Sequence, residues 1–280
     1  MEDNTIIQIA SDVQEADEEI DADGALITPG FVDSHTHPIF SGNRANEFEM
    51  RVAGKTYEEI SESGGGIISS INGVRNTDED QLFEECLERV NFFLGHGTTT
   101  IEAKSGYGLT TEDELKSLRV IKRLNEASPL DIIPTFMGAH AFPPEYQGNQ
   151  PKYIDLICEE MIPAVAEEKL AEYCDVFCEK GYFSVKDSRR ILETAIKFGL
   201  TPRLHADEFK DSGAAVLAAE VGAVSADHLM AVSETGIQAM VDAGVVATLL
   251  PGTTLFLGKT GYAPGRKIID FGCEAALATD

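Results

Sequence analysis

The chain has 280 residues, 43% of them hydrophobic, which is enough for one sizeable core and suits a barrel folded as a single domain. A formal net charge of −26 repels phosphate backbones and anionic lipid, so nucleic acid and membrane are excluded as expected partners. No run reaches the roughly 18 apolar residues of a membrane span, and the acidic start (Glu2, Asp3, Asp12, Glu15) lacks the basic-then-apolar order of a secretory signal.

Residues 1–30 read as a partial small β-element, with β-like pieces at 5–10 and 25–28 flanking an acidic stretch at 14–23. From residue 31 apolar, β-branched runs alternate with stretches of helical period. Strands are expected at 31–37, 98–104, 131–140, 173–179, 202–207, 223–228, 245–250 and 275–280. Helices are expected near 78–94, 112–127, 152–169, 184–198, 212–221 and 233–243. Gly95, Gly199, Gly222 and Gly244 sit where C-terminal glycine caps belong, and Ser184 with Asp187, and Ser233, suit N-caps. Such alternation over eight strands predicts an α/β fold, a (β/α)8 barrel over residues 31–280 that stops after strand eight and leaves an apolar sheet face uncovered. No GxGxxG follows the first strand, and Gly64-Gly65-Gly66 has no following Lys-Ser/Thr, which argues against dinucleotide and P-loop sites; the glycines suit a flexible loop over the barrel mouth. The five cysteines (Cys86, Cys158, Cys174, Cys178, Cys273) are odd in number and form no CxxC pair, as expected of reduced thiols in the cytoplasm.

Five of the six histidines close predicted strands: His35 and His37, His140, His205 and His228. The C-terminal strand ends are where barrels of this kind build their sites. His96 instead follows a helix end and reads as structural. His35 and His37 are two apart on one strand, so both imidazoles face the same side and can share one metal ion.

Residues 29–37, Pro-Gly-Phe-Val-Asp-Ser-His-Thr-His, resemble the opening signature of the metal-dependent amidohydrolase superfamily. That resemblance implies a metal set of His35, His37, His205 and Asp280, with His228 close by. It implies one divalent or trivalent ion, zinc or iron, because the carboxylated strand-four lysine of binuclear members has no counterpart at Phe177-Cys178-Glu179, where Lys180 lies just beyond. Within the superfamily the chain resembles imidazolonepropionase along nearly its whole length. The segments that carry this are 29–38 with Gly42-Asn43-Arg44, then 104–109 (Lys-Ser-Gly-Tyr-Gly-Leu), 135–140, 205–208, 225–228 and Ala278-Thr279-Asp280. The family's reaction is hydrolysis of the cyclic amide of 4-imidazolone-5-propanoate to N-formimino-L-glutamate, in histidine degradation. Carried onto this chain, the resemblance implies Glu208, His228 and Asp280 as catalytic groups, with the principal base left open. It implies Arg44, Tyr57, Tyr107, His140 and Glu208 as contacts to a small substrate bearing a carboxylate, and a homodimer as the assembly to test. A ring deaminase of the guanine or cytosine deaminase kind would share the metal set but need no cation for a propionate. A scaffold without chemistry would have to have lost its ligands.

Overall fold

The computed structural model describes residues 5–11, 16–55, 59, 65–258 and 261–280. The chain divides into two compact units, Met1–Gly30 and Phe31–Asp280. Among the described residues of the first there is no strand, and Thr5 alone stands in a β-bridge.

The second unit carries eight strands in sequential order, each parallel to the next: β1 (Phe31–Thr36), β2 (Thr98–Lys104), β3 (Asp131–Ala139), β4 (Tyr173–Cys178), β5 (Thr201–Ala206), β6 (Ser225–His228), β7 (Val246–Leu249) and β8 (Ala275–Leu277). The circle is nearly closed. Where β8 meets β1 the link is made just past the strand: the Asp280 amide donates to the His35 carbonyl (3.0 Å), and the Thr279 amide and hydroxyl donate to the Asp33 carboxylate (3.1 and 2.6 Å). This is the (β/α)8 barrel expected from the alternation. Phe31, Val32 and Leu277 on these two strands are exposed.

Local chemistry sets where several of the helices start and stop. Asp78, Thr110, Ser184 and Ser233 accept from the backbone amide three residues on, capping the helices Glu79–Gly95, Thr111–Ala127, Val185–Lys197 and Glu234–Ala243. Gly199, Gly222 and Gly244 take the left-handed conformation that ends a helix. Gly95 does not: it is the last helical residue, and Gly97 (φ 82°) makes the reversal instead. The helix expected over 152–169 runs without interruption from Gln150 to Glu168 and contains one widened, π-type turn at Ile157–Met161. Pro163 lacks the amide N–H that a regular ladder needs there, and the turn ahead of it widens.

Helices at Ala45–Val52, Ile67–Asn76, Pro251–Phe256 and Gly265–Asp270 occupy segments that the sequence pattern leaves as loops. The second of these explains why. Gly73 lowers its helix propensity, yet a Cβ there would lie 2.6 Å from the Ser41 carbonyl oxygen. The helix is held by backbone-close packing and by burial of Ile71 and Val74, neither of which is visible as local periodicity. No helix among the described residues is long and apolar enough to cross a membrane.

Candidate metal centre

Barrel interiors are usually filled by branched aliphatic residues. Here the alternate residues of several strands put buried charge inside: Asp33 and His35 on β1, Glu102 and Lys104 on β2, Asp175 on β4, Arg203 and His205 on β5, and Asp227 on β6. Burying so many ionisable groups is tolerated only where they neutralise one another or a bound ion.

At the C-terminal rim His35, His37, His205 and Asp280 offer ligand atoms that all lie within 4.8 Å of one another. The Nε2 of His37 is 3.3 Å from that of His35 and 3.2 Å from that of His205. Asp280 Oδ1 is 3.2 Å from His35 Nε2 and 3.5 Å from His37 Nε2. A tetrahedral ion with ligands at about 2.0–2.1 Å has edges of roughly 3.3–3.4 Å, and these four separations lie close to that. Burial first, and Lys104 next, hold the His35 imidazole well below its ordinary pKa; burial and His140 do the same for His37. Both rings are therefore neutral, as ligands must be. Asp280 Oδ2 accepts from the Thr253 hydroxyl (2.9 Å), which orients its carboxylate.

The far side of two of these rings is equally defined. His35 Nδ1 lies 2.7 Å from Asp227 Oδ2, and His205 Nδ1 lies 3.0 and 3.1 Å from the two oxygens of Asp175. Each carboxylate accepts a hydrogen bond from Nδ1–H, the tautomer in which Nε2 keeps the lone pair that a metal ion needs. Burial disfavours the Asp175 charge, but His205 and Lys104 outweigh it and hold the carboxyl well below its usual range. Asp175, Asp227 and His35 form a second donor group of metal-binding type, but internal cations reach its carboxylates: Lys104 Nζ is 2.7 Å from Asp175 and 3.9 Å from Asp227, and Arg203 is 3.2 Å from Asp227. The strand-four end has no buried lysine, and Lys180 beyond it is exposed.

Backbone strain gathers at the same rim. Asp207 (φ 49°), His228 (φ 73°), Leu229 (φ 58°) and Asp280 (φ 93°) are non-glycine residues in the left-handed region, at the ends of β5, β6 and β8. Each such residue costs on the order of 1–3 kcal/mol and persists where its surroundings dictate it. His228 is buried, its Nδ1 is 3.8 Å from Glu208 Oε1, and its Nε2 has no hydrogen-bond partner among the described residues. Burial raises the Glu208 carboxyl pKa, opposed by His228 and then His205. Its loop is pinned from both sides. Asp207 accepts from the amides of Ser212, Ala214 and Ala215, while Glu179 Oε2 accepts from those of Phe209 and Lys210.

Tyr107 and His140 stand beside the cluster. The His140 ring stacks on His37 at 4.9 Å between centroids, and Tyr107 lies 5.9 Å from His37 and 5.1 Å from His140. Burial, reinforced by His205, lowers His140 to about 3, so it is neutral, with Nδ1–H donating to the Gly106 carbonyl (3.0 Å). The Lys-Ser-Gly-Tyr-Gly-Leu segment folds around Glu114, whose buried carboxylate accepts from the amides of Gly106, Gly108 and Leu109. Both glycines are required. A Cβ at Gly108 would lie 2.5 Å from the Asp113 carbonyl carbon, and Gly106 has φ 107° with His140 at 3.0 Å. Gly108→Ala is therefore expected to cost about 1–3 kcal/mol of stability through overpacking; a chemical-unfolding midpoint equal to the parent's would refute this.

Arg44 is placed differently from a bare carboxylate grip. Its Nη2 pairs with Glu47 at 2.7 Å, and Glu47 also accepts the Gly66 amide (2.9 Å). Tyr57 lies outside the described residues, as does Gly64. His96 is exposed and its Nδ1–H donates to the Phe92 carbonyl (2.9 Å), a helix-end bond away from the cluster. The residues that pattern reading passed over are Glu102, Lys104, Asp175, Arg203 and Asp227. Their signal was charge at every second position inside strands otherwise apolar, and it was readable.

No family model matches the chain. The chain is 55% identical to the imidazolonepropionase of Brevibacillus brevis over 93% of its own length and 61% of that protein's. It is 49% identical to that of Geobacillus kaustophilus over 100% of its length and 65% of that protein's. It thus spans roughly three-fifths of the length of the curated relatives it matches. Its fold superposes on 5-methylcytosine deaminase of Klebsiella pneumoniae with a TM-score of 0.72 at 16% identity, covering 97% of this chain and 68% of that one. The chain thus forms a barrel of this kind and shares about half its residues, over nearly all its length, with the portion of these imidazolonepropionases that it spans.

Proposed function

We propose that residues 31–280 are the catalytic barrel of an imidazolonepropionase and that residues 1–30 are part of a small β-element. The reaction is hydrolysis of 4-imidazolone-5-propanoate: water adds to the ring carbonyl, the ring C–N bond breaks, and N-formimino-L-glutamate leaves. The observation that carries the reading is the convergence of three Nε2 atoms and the Asp280 carboxylate within 4.8 Å of one another.

His35, His37, His205 and Asp280 would hold one divalent ion, and such a donor set accepts zinc or iron. When bound, the ion supplies Lewis acidity and a water acidic enough to ionise near neutral pH. Glu208 takes the proton from the attacking water and returns it to the leaving ring nitrogen, a role that its burial and raised pKa suit. Asp280 is the second carboxylate within reach of that proton. His228, buried and with Nε2 unpartnered among the described residues, hydrogen-bonds the oxygen that gains charge. Tyr107 and neutral His140 bind the imidazolone ring, and Tyr57 is a further proposed substrate contact. Arg44, oriented by Glu47, takes the propionate. The five cysteines of the chain are all buried and free, which suits cytoplasmic residence; a homodimer is a matter for light scattering.

The test is an assay of the purified, metal-loaded chain that follows both imidazolone absorbance and ammonia. Loss of absorbance without ammonia release is the expected result. Ammonia released from a purine or pyrimidine, with the imidazolone untouched, would overturn the assignment in favour of a ring deaminase.

A further inference from the structure

Lys104 is a fully buried charge that takes no part in the chemistry above. It sits at the end of β2 with a fully buried side chain, 2.7 Å from Glu102 Oε1 and 2.7 Å from Asp175 Oδ2. Asp175 holds His205 at Nδ1 and also accepts the His205 amide at 3.0 Å. Asp227, which holds His35 at Nδ1, is 3.9 Å from the same ammonium and 3.2 Å from Arg203 Nη2; that nitrogen also donates to the Ser34 carbonyl on β1 at 2.6 Å. Three carboxylates and two cations thus form one buried network beneath the ligand cluster, linking β1, β2, β4, β5 and β6. A network of this kind is stable only when complete, because a buried charge that loses its partner is expensive.

We propose that Lys104 is a positioning residue of the metal centre: clamped between Glu102 and Asp175, and facing Asp227, it fixes the two carboxylates that aim His205 and His35 at the ion. This inference rests on the four-ligand centre proposed above. Outer carboxylates of metal-bound histidines set the ring orientation and tautomer, and their loss commonly weakens metal binding 10–100-fold. Lys104 acts one bond further out, on both carboxylates at once.

The experiment measures zinc affinity by competition with a chromophoric chelator, the visible spectrum of the cobalt(II)-loaded protein, and the melting temperature of the metal-free protein. The variants are Lys104→Met, the charge-balanced pair Lys104→Met/Glu102→Gln, and Asp175→Asn. Zinc affinity is expected to fall about 10–100-fold in each, with shifted cobalt bands showing altered ligand geometry. A purely structural lysine would lower the metal-free melting temperature while leaving zinc affinity and the cobalt spectrum of the folded fraction unchanged; that result overturns the inference. Should neither Lys104 variant fold, Asp175→Asn in the intact lysine background decides the point, since unchanged affinity there removes the path through which the lysine acts. Parent protein that binds no zinc would instead sink the metal centre itself, so the two failures are distinguishable.

Discussion

Glu208→Gln lowers kcat by about 10²–10⁴-fold, the range over which a positioned proton carrier contributes, while the protein still binds one metal ion per chain. The substitution keeps the shape of a side chain that is almost wholly buried, so folding and metal content report separately from turnover. Burial raises the Glu208 pKa, so its carboxylate is lost to protonation at a higher pH than that of an exposed glutamate. Activity of the parent should therefore fall on the acid side at a pH above the ordinary glutamate range, and Glu208→Gln should lose that dependence along with the rate. A variant retaining parental kcat, or the same acid limb, would show that another group carries the proton, with Asp280 the next to test.

His205→Ala is expected to abolish ion binding and reduce turnover to the level of the uncatalysed reaction. The change removes one of four converging ligands and leaves Asp175 facing a void beside Lys104. The same loss should follow exhaustive chelation of the parent and be reversed by added zinc or ferrous iron. Because an ion that binds only the folded state stabilises it by about 2.7 kcal/mol at a hundred times its dissociation constant, zinc should raise the parent's melting temperature and leave that of His205→Ala in place. Equal zinc-dependent stabilisation in the two proteins would mean that the ion sits elsewhere, and element analysis of each sample would count it.

The barrel was legible because its signals are local. Helix caps at Ser184 and Ser233 and left-handed glycines at 199, 222 and 244 are short-range chemistry, and they punctuate a chain whose apolar runs recur eight times. Once the strands are placed, His35 and His205 fall at one rim by register, with His37 and Asp280 just past the ends of β1 and β8. The residues around the site were less legible. Tyr107 owes its position to Glu114, seven residues away in sequence, which gathers three amides, and to two glycines that admit the close approach of Asp113 and His140. The helix Ile67–Asn76 carries a glycine that argues against it locally, and only contact with Ser41 explains it.

By itself the sequence determined the alternation of elements, the rim to which the histidines belong, and a family resemblance carried by contiguous motifs. All of these depend on residues close together in the chain or on spacing along one strand. Only the tertiary structure decided that Lys104 lies between Glu102 and Asp175, that Asp227 backs His35 from 192 residues away, and that Arg44 turns to Glu47. The physical reason is that a charge in a strand has no partner written beside it. Which carboxylate meets which cation is set by barrel closure and strand register, and these bring together residues that no local pattern connects.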